Sequence, residues 1–323
     1  MIVKDNSKPP IFLRKLEALT RRLPQSHPKW VEIKEKHRTF ATGYAGEKAL
    51  HYPLSFTEGT FHLFFDLRLK HSYNKYFQMD SLLVTPSFML IIEAKNISGT
   101  LFFDDRFQQV IRTNETNESA LPDPIQQVGA QKTKLKQWLL EHNYPVLPIE
   151  TLVVSANRYS VLKASDTHSN ATSNVIRIET LPHKISYLQQ KYPTSKMISS
   201  SLSQLSDELL LHHQEYSPNV LALHQLKPEN LQKGLFCNEC EHLPMRRIHS
   251  KWVCPSCSHL STNEHIHALR DFALLIDSSI NNPQLREFLM VNSRHTAKHI
   301  LSKLDVVKIG ENKGSRYSLE KLL

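Results

Sequence analysis

Between residues 60 and 103 the apolar side chains alternate or cluster in short runs bounded by turn residues. This pattern predicts strands at Thr60 to Leu67, Tyr76 to Thr85, Phe88 to Lys95 and Thr100 to Phe103. Only Pro86 and Ser87 separate the second run from the third, which is hairpin spacing. Upstream, residues 11–38 read as helix interrupted near Pro24 and Pro28, and GYAGEKAL (43–50) reads as the start of a separate helix ended by Pro53. Downstream, Asp123-Pro124 opens a long helix to about His142, with Ile125, Val128, Leu135, Trp138 and Leu139 on one face. A buried strand from Ile149 to Ser155 and another from Val175 to Leu181 follow, with residues 161–174, rich in Ser, Thr and Asn, as a surface loop between them. The order predicts a mixed α/β core with one long helix across the sheet.

The last third reads differently. Residues 183–232 are predicted as helices with proline interruptions. Ser261-Thr262-Asn263-Glu264 fits a capping box, Asn282-Pro283 a helix start with Asn282 at the cap, and Ser293 a cap for a third helix. In that third helix Ala297, Ile300, Leu301 and Leu304 keep core spacing, while Arg294, His295, Lys298 and His299 lie on the other side. A hairpin from Val306 to Leu319 turns around Gly310–Gly314 and carries Lys308, Lys313 and Arg316.

Composition places this pattern in a soluble globular class: of 323 residues, 40% are hydrophobic and 22% charged. The strongly apolar stretch around Phe88 to Ile92 is too short to span a bilayer, and MIVKDNSKPPIF holds no run resembling a signal peptide. A cytoplasmic location with no membrane partner is therefore expected. The net charge of +9 lies mostly on residues 1–46, where Arg14, Lys15, Arg21, Arg22, Lys29, Lys34, Lys36 and Arg38 could follow a phosphate backbone or form a solvated helix face.

Two groups of residues carry chemistry. Cys237, Cys240, Cys254 and Cys257 form two C-x2-C pairs and use every cysteine in the chain. That spacing predicts a closed tetrahedral thiolate shell around one structural Zn²⁺. Two disulfides are the alternative, and they would need an oxidising compartment. The second group lies on the predicted hairpin, where Glu93 and Lys95 are two apart and share a strand face, with Asp80 across from them. Two converging carboxylates form a hard oxygen site for Mg²⁺ or Mn²⁺, and the lysine beside them can orient a water or neutralise a phosphate. Solvated charges at a strand end are the plain alternative.

The combination of GYAGEKAL, QMDSLLVTP and IIEAKNISG resembles the nuclease-related domain (NERD) of the PD-(D/E)XK nuclease superfamily, over roughly residues 40–155. The resemblance implies a restriction-endonuclease-like fold and a metal-dependent nuclease. Asp80 and Glu93 match its metal-binding carboxylates, Lys95 its catalytic lysine, Glu47 its helix acid and Gln127 a glutamine at the start of the long helix. Ser81 stands where the family often has His, and Asp123 where Asn is common; neither removes a metal ligand.

The expected organisation is a basic helical segment (1–36), a NERD domain (37–182), a helical connector (183–232), a four-cysteine zinc ribbon (233–262) and a winged-helix-like module (263–323). The last would touch DNA through Arg294, His295, Lys298, Lys313 and Arg316. The expected function is a Mg²⁺- or Mn²⁺-dependent DNA endonuclease, with DNA as partner, RNA as an alternative substrate, and a homodimer if both strands are cut. The rival reading is a non-catalytic DNA-binding protein on a nuclease-like scaffold.

Overall fold

The computed structural model describes residues 1–72, 75–115, 117–165, 170–311 and 314–323. The chain divides into two compact units, Met1–Pro10 with Thr39–Tyr216, and Ile11–Arg38 with Ser217–Leu323.

In chain order the first elements are β1 (Ile2–Lys4), α1 (Ile11–Arg22), α2 (Trp30–Ala49), α3 (His51–Leu54), β2 (His62–His71), β3 (Lys75–Val84) and β4 (Met89–Lys95). Next come β5 (Thr100–Asp104), β6 (Gln109–Thr113), β7 (Glu118–Pro122), α4 (Pro124–Glu141), β8 (Ile149–Ser155), β9 (Val161–Ala164), α5 (Asn170–Asn174), β10 (Val175–Arg177), α6 (Leu181–Lys191) and α7 (Ser199–Leu211). The first unit is built on a mixed sheet in the order β1-β2-β3-β4-β8-β10. Strand β4 lies inside it, antiparallel to β3 and parallel to β8. Both faces of β4 are covered, which explains the near-continuous apolar run of MLIIEAK. Met89 and Ile91 pack with Val128, Leu135 and Trp138 of α4, whereas Leu90, Ile92 and Ala94 pack with Leu50, Leu54, Leu181 and Ile185. A second sheet, β7-β6-β5-β9, forms its own apolar cluster around Leu101, Phe103 and Val110.

Several expectations change here. Residues 43–50 do not start a separate helix; they are the last turns of α2, which runs unbroken from Trp30. The expected loop at 161–174 contains β9, which pairs with β5, and the strand expected to reach Leu181 stops at Arg177. The N-terminal segment is not one element, because Ile2–Lys4 pairs with β2 whereas α1 belongs to the second unit. Residues 183–232 are divided too: α6 and α7 lie in the first unit, and the chain from Ser217 in the second.

The second unit continues with α8 (Val220–Leu223), β11 (Arg246–Ile248), β12 (Lys251–Val253), β13 (Leu260–Ser261), α9 (Glu264–Leu275), β14 (Ser279–Ile280), α10 (Asn282–Leu289), α11 (Arg294–Lys303), β15 (Val307–Ile309) and β16 (Arg316–Ser318). Leu235, Met245 and Trp252 share one core with Leu269, Phe272, Phe288 and Leu301, so the cysteine segment and the helices after it are packed together. The cap of α10 is Asn281 and not Asn282; its side chain accepts from the Gln284 amide, and Gln284 returns the bond. The capping box expected at 261–264 does not form: Asn263 is the N-cap without a side-chain bond, and the Glu264 carboxylate accepts from Asn238 Nδ2 instead.

The basic residues of the N-terminal segment are largely engaged within this unit. Arg22 is buried, with Nε 2.7 Å from Asp271 and Nη1 2.7 Å from the Gly234 carbonyl, and Arg21 pairs with the same aspartate. Lys29 donates to the His224 carbonyl at 2.7 Å, and Arg14 to the Leu323 carbonyl at 2.8 Å. These cations hold the fold together and do not form a free phosphate-tracking stripe.

Candidate active site and metal centres

The site on β3 and β4 exists because the two strands part. Their ladder runs from Val84↔Met89 to Ser81↔Ile92 and ends there. At the next position the side chain of Asp80 replaces the backbone, its Oδ2 accepting from the Ala94 amide at 2.9 Å. The opposite neighbour is irregular at the same level: the β2–β3 register skips from Phe65↔Ser81 to Leu67↔Met79, and Asp66, lying between, has a φ of 50°. Both strands change the face they present around this point, as at a bulge. Polar side chains are thereby aimed into the gap from a sheet that is otherwise apolar.

Glu93 is the centre of the resulting network and is 3% exposed. Its Oε1 accepts from Lys95 Nζ at 2.7 Å and Gln127 Nε2 at 2.7 Å, and its Oε2 from Gln131 Nε2 at 3.0 Å. Lys95 also donates to Gln127 Oε1 at 3.1 Å, so its ammonium is fixed by two partners. Gln127 and Gln131 are one turn apart on α4, which Asp123 caps by accepting from the Ile125 amide.

Glu47, in the last turn of α2, is brought to this site by the close approach of Gly46 to Asn96. A Cβ on Gly46 would stand 2.7 Å from the Asn96 Cβ, and Asn96 Nδ2 donates to the Thr42 carbonyl at 3.0 Å. Burial, reinforced by the charges of Asp66 and Glu93, lifts the Glu47 carboxyl to about 7. Burial, then Glu93 and Glu47, also raises Asp80 well above the carboxylate range. Asp66 is raised by burial as well, against the pull of Lys4, whose Nζ is 3.6 Å from its Oδ2.

The structure therefore gathers Asp80, Glu93, Lys95 and Gln127, with Glu47 near enough for their charges to be felt. It adds three residues that sequence reasoning missed. Gln131 was detectable from its spacing of four after Gln127 on a helix. Asp66 and Lys4 had no such signal, because Asp66 depends on an irregular backbone and Lys4 on a short parallel strand. Gln78 donates to Asp66 Oδ1 at 2.5 Å, which ties the missed aspartate to the QMDSLLVTP strand two residues before Asp80.

Residues present fit a hard divalent cation. Glu47, Asp66, Asp80 and Glu93 lie near enough for their charges to interact, and the burial and added repulsion that raise Glu47 and Asp80 are what a cation would relieve. Asp80 and Glu93 are the residues that would hold it.

In the second unit the four cysteine thiols lie within 4.8 Å of one another. Cys237 Sγ is 3.6 Å from Cys257 Sγ, and Cys240 Sγ is 3.5 Å from Cys254 Sγ. A tetrahedral shell with Zn–S bonds of about 2.3 Å separates its sulfurs by roughly 3.8 Å, so the cluster fits a zinc ribbon. The two turns repeat one design. The amides of Cys237 and Cys254 bond to the His242 and His259 carbonyls at 2.9 Å, and Glu241 and Ser258 both take positive φ.

Of the proposed DNA contacts, Arg294, His295 and Lys298 are exposed along α11. Lys313 lies outside the described residues. Arg316 is committed elsewhere: its guanidinium donates to Asp277 Oδ2 at 2.6 Å and to the Ser279 Oγ and carbonyl at 2.8 and 2.9 Å, which secures the hairpin to β14.

A mixed sheet that parts over two carboxylates and a lysine, with a helix laid across it, defines a restriction-endonuclease-like domain. Residues 42–156 match the family model of the nuclease-related domain, so this part of the chain is a NERD domain. The matched span contains Glu47, Asp66, Asp80, Glu93, Lys95, Gln127 and Gln131 and ends just after β8. No significant match was found among curated proteins or solved structures. Among the described residues, no helix is long and apolar enough to cross a membrane.

Proposed function

We propose that the protein is a Mg²⁺- or Mn²⁺-dependent nuclease that hydrolyses phosphodiester bonds in DNA. The observation that carries this reading is the electrostatic coupling of Asp80, Glu93 and Glu47 beside the fixed ammonium of Lys95. Bound at Asp80 and Glu93, the divalent ion would supply a Lewis acid and offset the phosphate charge. Lys95, held by Glu93 and Gln127, orients the attacking water and donates toward the phosphate. Glu47, lifted to about 7, is poised to take up or return a proton near neutral pH. Gln127 and Gln131 fix the orientation of the Glu93 carboxylate, a task that outer partners of metal ligands commonly perform.

The second unit is proposed to bind the DNA. Its order of helix α9, strand β14, helices α10 and α11 and the hairpin β15–β16 supports a winged-helix reading, with Arg294, His295 and Lys298 on the helix that would enter the major groove. A ribbon zinc held by the four cysteines would stabilise the core it shares with these helices.

Incubating the protein with supercoiled plasmid, in Mn²⁺ or Mg²⁺ and then with EDTA, tests the function. Metal-dependent nicking that is lost in Lys95→Ala, with DNA binding retained, is expected. Cleavage of RNA alone would replace the substrate, and the absence of metal-dependent cleavage on both would favour a binding protein on a nuclease scaffold.

A further inference from the structure

We propose a transition-metal site on the first unit, formed by His142, Glu208 and His212 and suited to Zn²⁺. One donor atom from each of the three half-buried side chains lies within 4.8 Å of the other two. Two ligands bound to one tetrahedral zinc at about 2.1 Å stand roughly 3.4 Å apart, so small side-chain rotations close the shell.

The ring chemistry is already arranged for metal. His142 Nδ1 is 2.8 Å from the Trp138 carbonyl oxygen, and His212 Nδ1 is 3.0 Å from that of Glu208. A carbonyl only accepts, so each neutral ring carries its proton on Nδ1 and keeps the lone pair on Nε2. Imidazoles that bind metal are usually fixed in this way, through the nitrogen away from the ion. Trp138 holds both rings, stacked on His142 at 3.9 Å and edge-on to His212 at 5.7 Å. The two rings stand 4.7 Å apart at 76°. Glu208, one turn before His212, has Oε1 3.3 Å from the Nδ1 of that ring, so its carboxylate completes the shell by swinging to the Nε2 side.

Position adds to the case. His142 is the C-cap of α4 and His212 the C-cap of α7, so a cation between them lies at the negative ends of two helix dipoles. Two imidazoles and one carboxylate suit Zn²⁺ and its transition-metal neighbours and not Mg²⁺, and they leave a fourth position for water. Bound there, the ion would tie α7 to the far end of the helix that presents Gln127 and Gln131 to Glu93. A pair of histidines capping their helices, with no metal, is the competing account.

Zinc content of the full chain, measured after gel filtration in excess Zn²⁺, separates the two. The unaltered protein is expected to retain one zinc more than H142Q/H212Q. Both proteins should show equal thiolate-to-cobalt charge transfer from the cysteine cluster after cobalt substitution. Equal zinc content in two folded proteins would overturn the site. If the double variant does not fold, footprinting the unaltered chain with diethyl pyrocarbonate decides: zinc must protect His142 and His212, and unchanged modification overturns the proposal.

Discussion

Gln131 donates to Glu93 Oε2 at 3.0 Å and to the Gln78 carbonyl at 2.8 Å, so one side chain joins α4 to both strands of the proposed metal site. It touches neither the proposed attacking water nor Lys95, yet it fixes the oxygen of Glu93 that Lys95 and Gln127 leave alone. Gln131→Met keeps the volume and removes the donor. The expected result is a metal requirement raised about 10–100-fold, the usual effect of losing an outer partner of a ligand. Titrating cleavage against Mn²⁺ checks this, and a fall in maximal rate with an unchanged Mn²⁺ midpoint would contradict it.

Raised carboxylates give the metal-free protein a defined pH response. Glu47 is lifted from 4.5 to about 7, chiefly by burial. A group whose folded pKa is raised stabilises the fold fully below its unfolded pKa, and that stabilisation is lost as pH rises through the folded one. Thermal melts in EDTA should therefore show Tm declining from about pH 4.5 towards 7, with Asp80 adding in the same direction. Glu47→Gln should flatten the decline, and Mn²⁺ should reverse it. A Tm that rises across this window in EDTA would remove the carboxylate-crowding argument.

The two glycines of the GYAGEKAL helix should behave in opposite ways. A Cβ at Gly46 meets the Asn96 Cβ at 2.7 Å, whereas nothing lies within 4 Å of one at Gly43. Gly46→Ala should cost about 1–3 kcal/mol through overpacking and displace Glu47, with loss of cleavage. Gly43→Ala, in a helix interior, should stabilise by about 0.5–1 kcal/mol and leave cleavage intact. Denaturant melts of the two variants, with plasmid nicking alongside, provide the comparison.

What could be read from the sequence depended on locality. Glu93 and Lys95 were legible because strand alternation alone puts them on one face, and the cysteines because four thiols at knuckle spacing have few other uses. Asp66 was hidden because its role depends on a backbone irregularity that no alternation pattern announces. The unbroken course of α2 was misread at GYAG, since propensity favours a break at two glycines while tertiary contact with Asn96 requires one of them. Arg21 and Arg22 read only as part of a basic stretch, phosphate-following or solvated, because their partner Asp271 lies some 250 residues away in the chain.

That pairing predicts a structural phenotype for a substitution expected to affect neither metal nor DNA directly. Asp271 is 1% exposed and accepts from both arginines, of which Arg22 is itself buried between the rings of Phe236 and Phe288. Asp271→Ala leaves a guanidinium buried without its counter-charge, and such a break costs about 3–5 kcal/mol. Chemical denaturation should show the second unit unfolding at lower denaturant. Nicking by the first unit in Mn²⁺ should survive, and an unchanged transition would mean that water replaces the carboxylate.

Removing the ribbon metal should have a wider effect than local unravelling. Cys237 and Cys254 are buried in the same cluster as Leu269, Phe272, Phe288 and Leu301, so the knuckles and the helices carrying Arg294 and Lys298 stand on one core. In Cys254→Ser the thiolate shell is incomplete, and a loosened knuckle frees Trp252, whose ring is 1% exposed, from that core. The expected outcome is a chain that no longer binds duplex DNA tightly by mobility shift, yet still nicks plasmid in Mn²⁺ through Asp80, Glu93 and Lys95, at higher protein concentration. Tight binding retained in a zinc-free Cys254→Ser protein would show that the helices fold without the knuckles. Loss of nicking while the first unit still melts cooperatively would show instead that cleavage depends on the second unit.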